Sequence, residues 1–198
     1  MKYYDVKKIA NAIIYFIDNN VCSLGATKLM KLCFYADKYH LEEYGKPIFN
    51  HTYTKLDKGP VPTWLYSIIR TSISGDNDYD FSEEVNVFNQ YVNVAIEESG
   101  KYKQHIFIKK MDFDKQFFSK SQLAILDQVI SEFKLDTATE ISEKSHQTNA
   151  WKNVELYQQI SYESMIDDPK TSEYVSYLEY EKESFKRSFK LHKLNKVS

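Results

Sequence analysis

Hydrophobic residues recur every three or four positions in the first part of the chain. Over residues 5–19 this spacing predicts an amphipathic helix, with Asp5 in the N-cap position. A second helix is predicted over residues 27–44, and Gly45 supplies its C-terminal stop. On a helical wheel the second helix is apolar over more than half of its circumference, which indicates packing against neighbours on two sides.

After the second helix the pattern changes to short extended runs and turn residues. Apolar residues alternate over residues 48–56, and the sequence "GPVP" at 59–62 predicts a rigid turn that leads into the helix "TWLYSIIR". Residues 74–90 are polar, which predicts irregular structure. Two β-rich runs then predict an antiparallel hairpin over about residues 90–109.

The remainder of the chain returns to helical signals. Two capping-box patterns, "SKSQ" from Ser119 and "TATE" from Thr137, each predict the start of a helix. The runs "SHQTNAWKNV" and "ISYESMIDD" indicate short helical pieces joined by turns, and a last helix is predicted over about 171–193. The pattern as a whole predicts an α+β fold that is mostly α-helical, a compact helical domain with a small antiparallel β element.

Composition restricts the class of protein, but it does not indicate a particular chemistry. A chain of 198 residues can build one domain with a real core, and its net charge of -2 gives no overall electrostatic case for nucleic-acid or membrane-surface binding. The two cysteines are too few for a disulfide scaffold, and no apolar run is long enough to span a membrane. The start of the sequence lacks the layout of a signal peptide, so we expect a cytoplasmic protein.

Asp37 and His40 are polar residues on or beside the apolar stripe of the second helix. Their spacing of three residues allows the two side chains to meet, so we expect them to satisfy each other or nearby backbone groups. The alternative is a functional acid/base or ligand pair. No phosphate-binding loop, nucleophile elbow or metal-ligand spacing occurs in the sequence, so we expect no cofactor and no metal.

Three segments of the sequence resemble the Panacea, or SocA-like, antitoxin domain, which occurs in many phage and prophage proteins. The first, "TKLMKLCFYADKYHLEEYGKPIFNHTYTKLDKGPVP", carries the signature of that family. The matching positions are Lys28, Leu29, Lys31, Leu32, Tyr35, Ala36, Asp37, His40, Tyr44, Gly45, Pro47, Ile48, Tyr53, Gly59, Pro60, Val61 and Pro62. Cys33 and Phe34 depart from the family's usual residues.

The second and third segments follow in the order that the family has. The helix "SKSQLAILDQVISEF" leads to "TATEISEKSHQTNAW", which resembles the family's S-x-x-[ST]-H-x-x-x-A-W element, and "ISYESMIDD" resembles its last motif. The matching positions in the second segment are Ser142, Ser145, His146, Ala150 and Trp151. We therefore expect a family domain over residues 1–168 with a variable insert at about 74–110, and a C-terminal helical extension over 169–198.

The resemblance implies a non-enzymatic role. Proteins of this family neutralise toxins encoded beside them, typically by direct binding, so a cognate protein toxin is the expected partner. The family's namesake also delivers its toxin to a ClpXP protease, which makes a protease of that type a second expected partner. Long cationic and aromatic side chains dominate interface energies, and on that ground we predict toxin contacts at Lys31, Tyr35, Tyr53 and Trp151.

Two other classes of function stay open at the level of sequence. A hydrolase-like enzyme would use Asp37, His40 and His146 together in one pocket. A DNA-binding autoregulator would place the helix after residue 62 on DNA, but Arg70 is its only base-reading candidate.

Overall fold

The computed structural model of the protein describes residues 3–75, 81–99 and 102–168 and confirms the predicted α+β, mostly helical class. The α-helices in these ranges are α1 (Tyr3–Asp18), α2 (Ala26–Tyr44), α3 (Thr63–Ser74), α4 (Ser82–Tyr91), α5 (Lys120–Phe133), α6 (Ala138–His146) and α7 (Asn149–Lys152). The strands are β1 (Tyr53–Leu56), β2 (Gly59–Pro62), β3 (Val92–Ser99), β4 (Tyr102–Lys109) and β5 (Gln159–Ile160). The predicted last helix at 171–193 lies outside the described residues.

Helix α2 is the centre of the fold. It packs against α5, α6 and β2, and 14 of its 19 residues are buried, as its wide apolar face predicted. Gly45 ends the helix in the left-handed conformation, with φ 69°, and its backbone N–H donates to the carbonyl of Leu41. The predicted bounds and the predicted glycine stop are therefore confirmed.

Two helical predictions need correction. Helix α1 begins at Tyr3, so Asp5 lies inside its first turn, and the prediction that Asp5 is the N-cap is wrong. Aspartate is favoured both at the N-cap and in the first turn of helices, so its presence in the sequence does not separate the two positions. Residues 82–91, predicted to be irregular, form α4, because Val85 and Phe88 bury one side of it against α1 and α3. That packing outweighs the polar composition of the segment.

The prediction of a turn at 59–62 is also wrong, because these residues form strand β2. β1 and β2 pair antiparallel across a two-residue turn at Asp57 and Lys58, with Leu56 opposite Gly59 and Thr54 opposite Val61. In such a ladder the amide positions of Pro60 and Pro62 face away from β1. β2 is an edge strand of the sheet β2-β1-β5, where prolines are tolerated.

The predicted hairpin and both predicted capping boxes are confirmed. β3 and β4 pair antiparallel from Val92 opposite Lys109 to Ser99 opposite Tyr102. Ser119 and Thr137 each accept a hydrogen bond from the backbone N–H three residues on, and that residue's side chain accepts from the N-cap amide in return. The short pieces α7 and a 3-10 turn at Glu163–Met165 appear where helical fragments were predicted, whereas β5 was not predicted.

Candidate functional site

Asp37 is fully buried and holds the segment that follows α2. One carboxylate oxygen, Oδ1, accepts a hydrogen bond from the backbone N–H of Phe49 at 2.6 Å, and Oδ2 accepts one from the hydroxyl of Tyr53 at 2.9 Å. Burial raises the pKa of Asp37 to about 6, and hydrogen bonds from Phe49 and Tyr53 limit the rise. The carboxylate therefore anchors the chain reversal after Gly45 to the middle of α2.

His40 contacts other groups than Asp37, so the predicted pairing of the two side chains is wrong. Its Nδ1 lies 2.6 Å from the carbonyl oxygen of Lys46, and its Nε2 lies 3.2 Å from the hydroxyl of Ser121 on α5. Burial lowers the pKa of His40. A helical wheel shows only possible partners within the same helix. The backbone groups that bind Asp37 and His40 belong to the chain after Gly45. The expectation that nearby backbone groups satisfy both side chains is confirmed.

The signature segments meet at one tightly packed place, formed by Lys31, Gly59, Pro60 and Ser145, which we call the Gly59 junction. Gly59 has φ +101°, and a Cβ atom there would lie 2.3 Å from the Oγ of Ser145 and 2.7 Å from the Cε of Lys31. The Lys31 ammonium donates to the Pro60 carbonyl at 2.7 Å. The Ser145 hydroxyl donates to the carbonyl of Ser142 at 2.7 Å. Helix α2, strand β2 and helix α6 therefore approach at a distance that glycine permits.

Next to this junction, three side chains form what we call the Trp151 platform, composed of Lys55, His146 and Trp151. The rings of His146 and Trp151 stack with centroids 4.2 Å apart, and the Lys55 ammonium lies 4.1 Å from the centroid of the Trp151 ring. The indole N–H of Trp151 donates to the carbonyl of Leu56 at 3.3 Å. Burial and the nearby Lys31 lower the pKa of His146. These contacts hold Trp151 against the β1–β2 hairpin while part of its side chain stays exposed.

A pocket of about 340 Å³ opens beside the Gly59 junction, and we call it the Lys31 pocket. Its wall combines α2, the β1–β2 turn, α3 and β4. It is lined by Ala26, Thr27, Met30, Lys31, Leu56, Asp57, Lys58, Val61, Tyr66 and His105. Three of these side chains, Lys31, Lys58 and His105, carry or can carry positive charge, and Asp57 carries the one negative charge of the lining.

The predicted contact residues differ in their exposure. Lys31 and Tyr53 are fully buried, and Tyr35 is 4% exposed with its ring stacked on Phe133 at 4.3 Å. These three side chains shape the surface from beneath, so Trp151 is the member of the predicted set with surface to offer a partner. Two further exposed aromatic residues, Tyr66 and Tyr157, were not predicted from the sequence; they are 44% and 65% exposed.

The three residues of the predicted hydrolase cluster do not come together as one catalytic group in the structure. Asp37, His40 and His146 each have different hydrogen-bonding or stacking neighbours. Within residues 3–75, 81–99 and 102–168, no group of three or more His, Cys, Asp or Glu side chains could hold a metal ion. No helix in those ranges is both long and apolar enough to cross a membrane.

Comparison with known proteins identifies the family. The family model described as "Antitoxin SocA-like, Panacea domain" matches residues 29–152, which is more than half of the chain, and this range contains both the Gly59 junction and the Trp151 platform. No curated protein matches the chain, and no solved structure matches it. The chain belongs to the SocA-like antitoxin family with a Panacea domain, which confirms the resemblance found in the sequence.

Proposed function

We propose that this member of the SocA-like antitoxin family neutralises a protein toxin by binding it directly in the cytoplasm. The observation that carries the proposal is the meeting of the first two signature segments, where the Trp151 platform lies beside the Lys31 pocket. Family membership supplies the class of partner. The geometry supports this choice of surface, because an aromatic side chain fixed beside a pocket is typical of an interface hot spot.

The exposed residues next to Trp151 extend this surface. Leu156 and Tyr157 are 38% and 65% exposed, and the backbone of Tyr157 pairs with Lys55 through a 2.8 Å hydrogen bond from its N–H to the Lys55 carbonyl. Tyr157 has φ 66°, a conformation that is uncommon for a residue with a Cβ. The chain therefore holds an aromatic side chain in solvent at a backbone cost, and strain of this kind is concentrated at functional positions.

We further propose that the variable insert sets toxin specificity. Hairpin β3–β4 places two large apolar side chains in solvent, Ile96 at 46% and Ile108 at 48% exposure, and His105 of the same hairpin lines the Lys31 pocket. A common scaffold with a variable hairpin at the edge of its binding face can accept different partners without changing its core. The C-terminal extension 169–198 is a second candidate for this role.

The test is toxicity and its rescue. The open reading frame next to this gene is expressed alone and together with the wild-type protein, with growth as the readout, and purified proteins are then tested for complex formation by calorimetry. We expect growth arrest alone, rescue on co-expression, and a complex of 1:1 or another fixed stoichiometry. Failure of the wild-type protein to rescue any neighbouring toxic frame, together with absence of a complex, would refute the proposal.

Two variants locate the surface. Trp151→Ala removes the centre of the Trp151 platform, and Tyr157→Ala removes its exposed neighbour, whereas Leu135→Ala serves as the control because Leu135 is 79% exposed and lies outside this surface. We expect roughly 30-fold or more loss of affinity for Trp151→Ala and little change for Leu135→Ala. Toxin half-life in cells with and without a ClpXP-type protease separates simple blocking from adaptor function, since only an adaptor requires the protease for rescue.

A further inference from the structure

Residues 154–158 form an exposed segment between α7 and β5, which we call the 154–158 segment. It carries two of the large exposed side chains of the proposed surface, Leu156 and Tyr157. Val154 packs partly buried against the core, and the other four side chains are exposed. A segment that buries so little apolar surface depends on hydrogen bonds for its conformation. The groups that make those bonds therefore decide how Leu156 and Tyr157 are presented.

Lys55 of β1 makes the hydrogen bonds that join the 154–158 segment to the rest of the described residues. Its ammonium donates to the carbonyl of Val154 at 2.6 Å. Its backbone N–H donates to the carbonyl of Gln158 at 3.0 Å, and its backbone carbonyl accepts from the N–H of Tyr157 at 2.8 Å. One lysine therefore binds the segment at its first residue and at its last two.

The backbone pairing at Lys55 has the form of a β-bulge, because two residues, Tyr157 and Gln158, lie opposite one. In one common type of bulge the first of the two residues is a glycine in the left-handed conformation. Tyr157 occupies that position here, with φ 66°. A residue with a Cβ keeps this conformation only where its surroundings impose it. The hydrogen bonds to Lys55 supply that constraint.

The same lysine also contacts Trp151. Its ammonium lies 4.1 Å from the centroid of the Trp151 ring, and the indole N–H donates to the carbonyl of Leu56, the next residue of β1. A cation over an aromatic face is attracted by it, so the ammonium that binds the Val154 carbonyl also holds the Trp151 ring. Lys55 therefore connects Trp151 and Tyr157, which belong to different parts of the chain.

We propose that Lys55 is the positioning residue of the partner surface: its ammonium fixes the 154–158 segment, so that Tyr157 and Trp151 are held in place before the toxin binds. This inference rests on the proposed antitoxin function and specifies how its surface is prepared. A surface that is ordered in advance loses less conformational entropy on binding. Lys55 therefore raises affinity through its neighbours, without touching the toxin.

The alternative is a direct ion pair between the Lys55 ammonium and the toxin. The contacts within the chain favour positioning, because the ammonium already donates to the Val154 carbonyl and lies against the Trp151 ring. The two roles differ in their consequences. Loss of a positioning residue disorders the free protein, whereas loss of a direct contact leaves the free protein unchanged.

The first experiment uses the protein alone and measures backbone order by nitrogen-15 NMR relaxation. Lys55→Met removes the ammonium, and Lys58→Met is the matched control, since Lys58 is an exposed lysine of the same hairpin. We expect the order parameters of residues 154–158 to fall from about 0.85 to below about 0.6 in Lys55→Met and to stay unchanged in Lys58→Met. Equal order in Lys55→Met and wild type would overturn the inference whether or not a toxin is found.

A conservative variant separates positioning from a general loss of stability. The guanidinium of Lys55→Arg keeps the charge, can donate to the same carbonyl and stacks well on an indole ring. We expect Lys55→Arg to keep the order of the 154–158 segment. Lys55→Gln, which is uncharged, replaces Lys55→Met if that variant does not fold.

The second experiment is a double-mutant cycle with the toxin from the rescue test. Tyr157→Ala removes the exposed ring and keeps the Cβ, so the backbone constraint at residue 157 is unchanged. We expect Lys55→Met to weaken binding about tenfold in the wild-type background and less than about threefold in the Tyr157→Ala background. Losses of the same size in both backgrounds would show that Lys55 does not act through Tyr157 and would refute the positioning role.

The outcomes separate this inference from the proposed function. If the toxin binds and the 154–158 segment is equally ordered with and without the ammonium, positioning by Lys55 fails while the antitoxin function stands. If Lys55→Met disorders the segment but no toxin binds the wild-type protein, the antitoxin function fails, and the assignment of the segment to partner binding falls with it.

Discussion

Gly59 is the position at which a one-atom change should damage the fold most. Gly59→Ala adds a Cβ that would lie 2.3 Å from the Oγ of Ser145 and 2.7 Å from the Cε of Lys31. The alanine must also adopt φ +101°, outside the regions that L-residues normally occupy. Neither Lys31 nor Ser145 can withdraw easily, because both side chains are fully buried and hydrogen-bonded.

The magnitude has two parts. The backbone conformation costs roughly 1–3 kcal/mol for a residue with a Cβ, and overpacking of a close-packed site costs a further 1–3 kcal/mol or so. We therefore expect the free energy of unfolding to fall by roughly 4 kcal/mol, which corresponds to a Tm decrease of about 10 °C for a protein of this size. Urea unfolding followed by far-UV circular dichroism measures the change directly.

Gly75 offers a matched control on the same chain. It has φ +69°, and a Cβ there would meet nothing within 4 Å, so Gly75→Ala pays the backbone cost without the overlap. We expect a loss of roughly 1–2 kcal/mol for that variant. If Gly59→Ala is no more destabilising than Gly75→Ala, the close approach of α2, β2 and α6 at the Gly59 junction is refuted.

Three further predictions concern buried polar groups. Lys28→Met strands three carbonyls that the ammonium now binds and should destabilise the protein by roughly 3–5 kcal/mol in urea unfolding, so a loss below about 1 kcal/mol would contradict this role. Burial raises the pKa of Asp37 from 3.8 to about 6, so folding favours the protonated carboxyl. This contribution to the free energy of unfolding is full below pH 4 and is lost as the pH rises through 6. Asp37→Asn should remove this pH dependence from the free energy of unfolding measured between pH 4 and 7. Burial lowers the pKa of His51 from 6.5 to about 4, so its contribution is present above pH 6.5 and is lost as the pH falls through 4. His51→Phe keeps the stacking on Phe49 and Trp64 and should abolish this acid sensitivity, and an unchanged acid transition would count against the assignment.

The elements that sequence predicted well are those whose signals are local. Helix α2 carries its own apolar face and its own glycine stop, and the two capping boxes are complete within four residues. The hairpin β3–β4 is likewise indicated by two β-rich runs separated by a short turn. Such features need no knowledge of the rest of the chain.

The features that sequence missed depend on distant partners. "GPVP" was predicted to be a turn because prolines usually end strands, yet the edge position of β2 leaves their missing amides harmless. Helix α4 is polar by composition and forms because α1 and α3 cover its few apolar residues. Likewise, the partner of Lys31 lies 29 positions away at Pro60, where no spacing rule connects the two.

The roles of the signature residues suggest how one scaffold can serve many partners. Asp37 and His40 fix the chain after Gly45, and Gly59 allows three elements to meet, so these residues build the face without touching a partner. The groups available for contact lie on its surface: Trp151, the turn at Tyr157, and the mouth of the Lys31 pocket. A face whose shape is fixed from beneath can keep its aromatic contact while the hairpin beside it changes. We therefore expect exchange of the β3–β4 hairpin between relatives to change which toxin is bound, while Trp151 stays required for binding in each chimera.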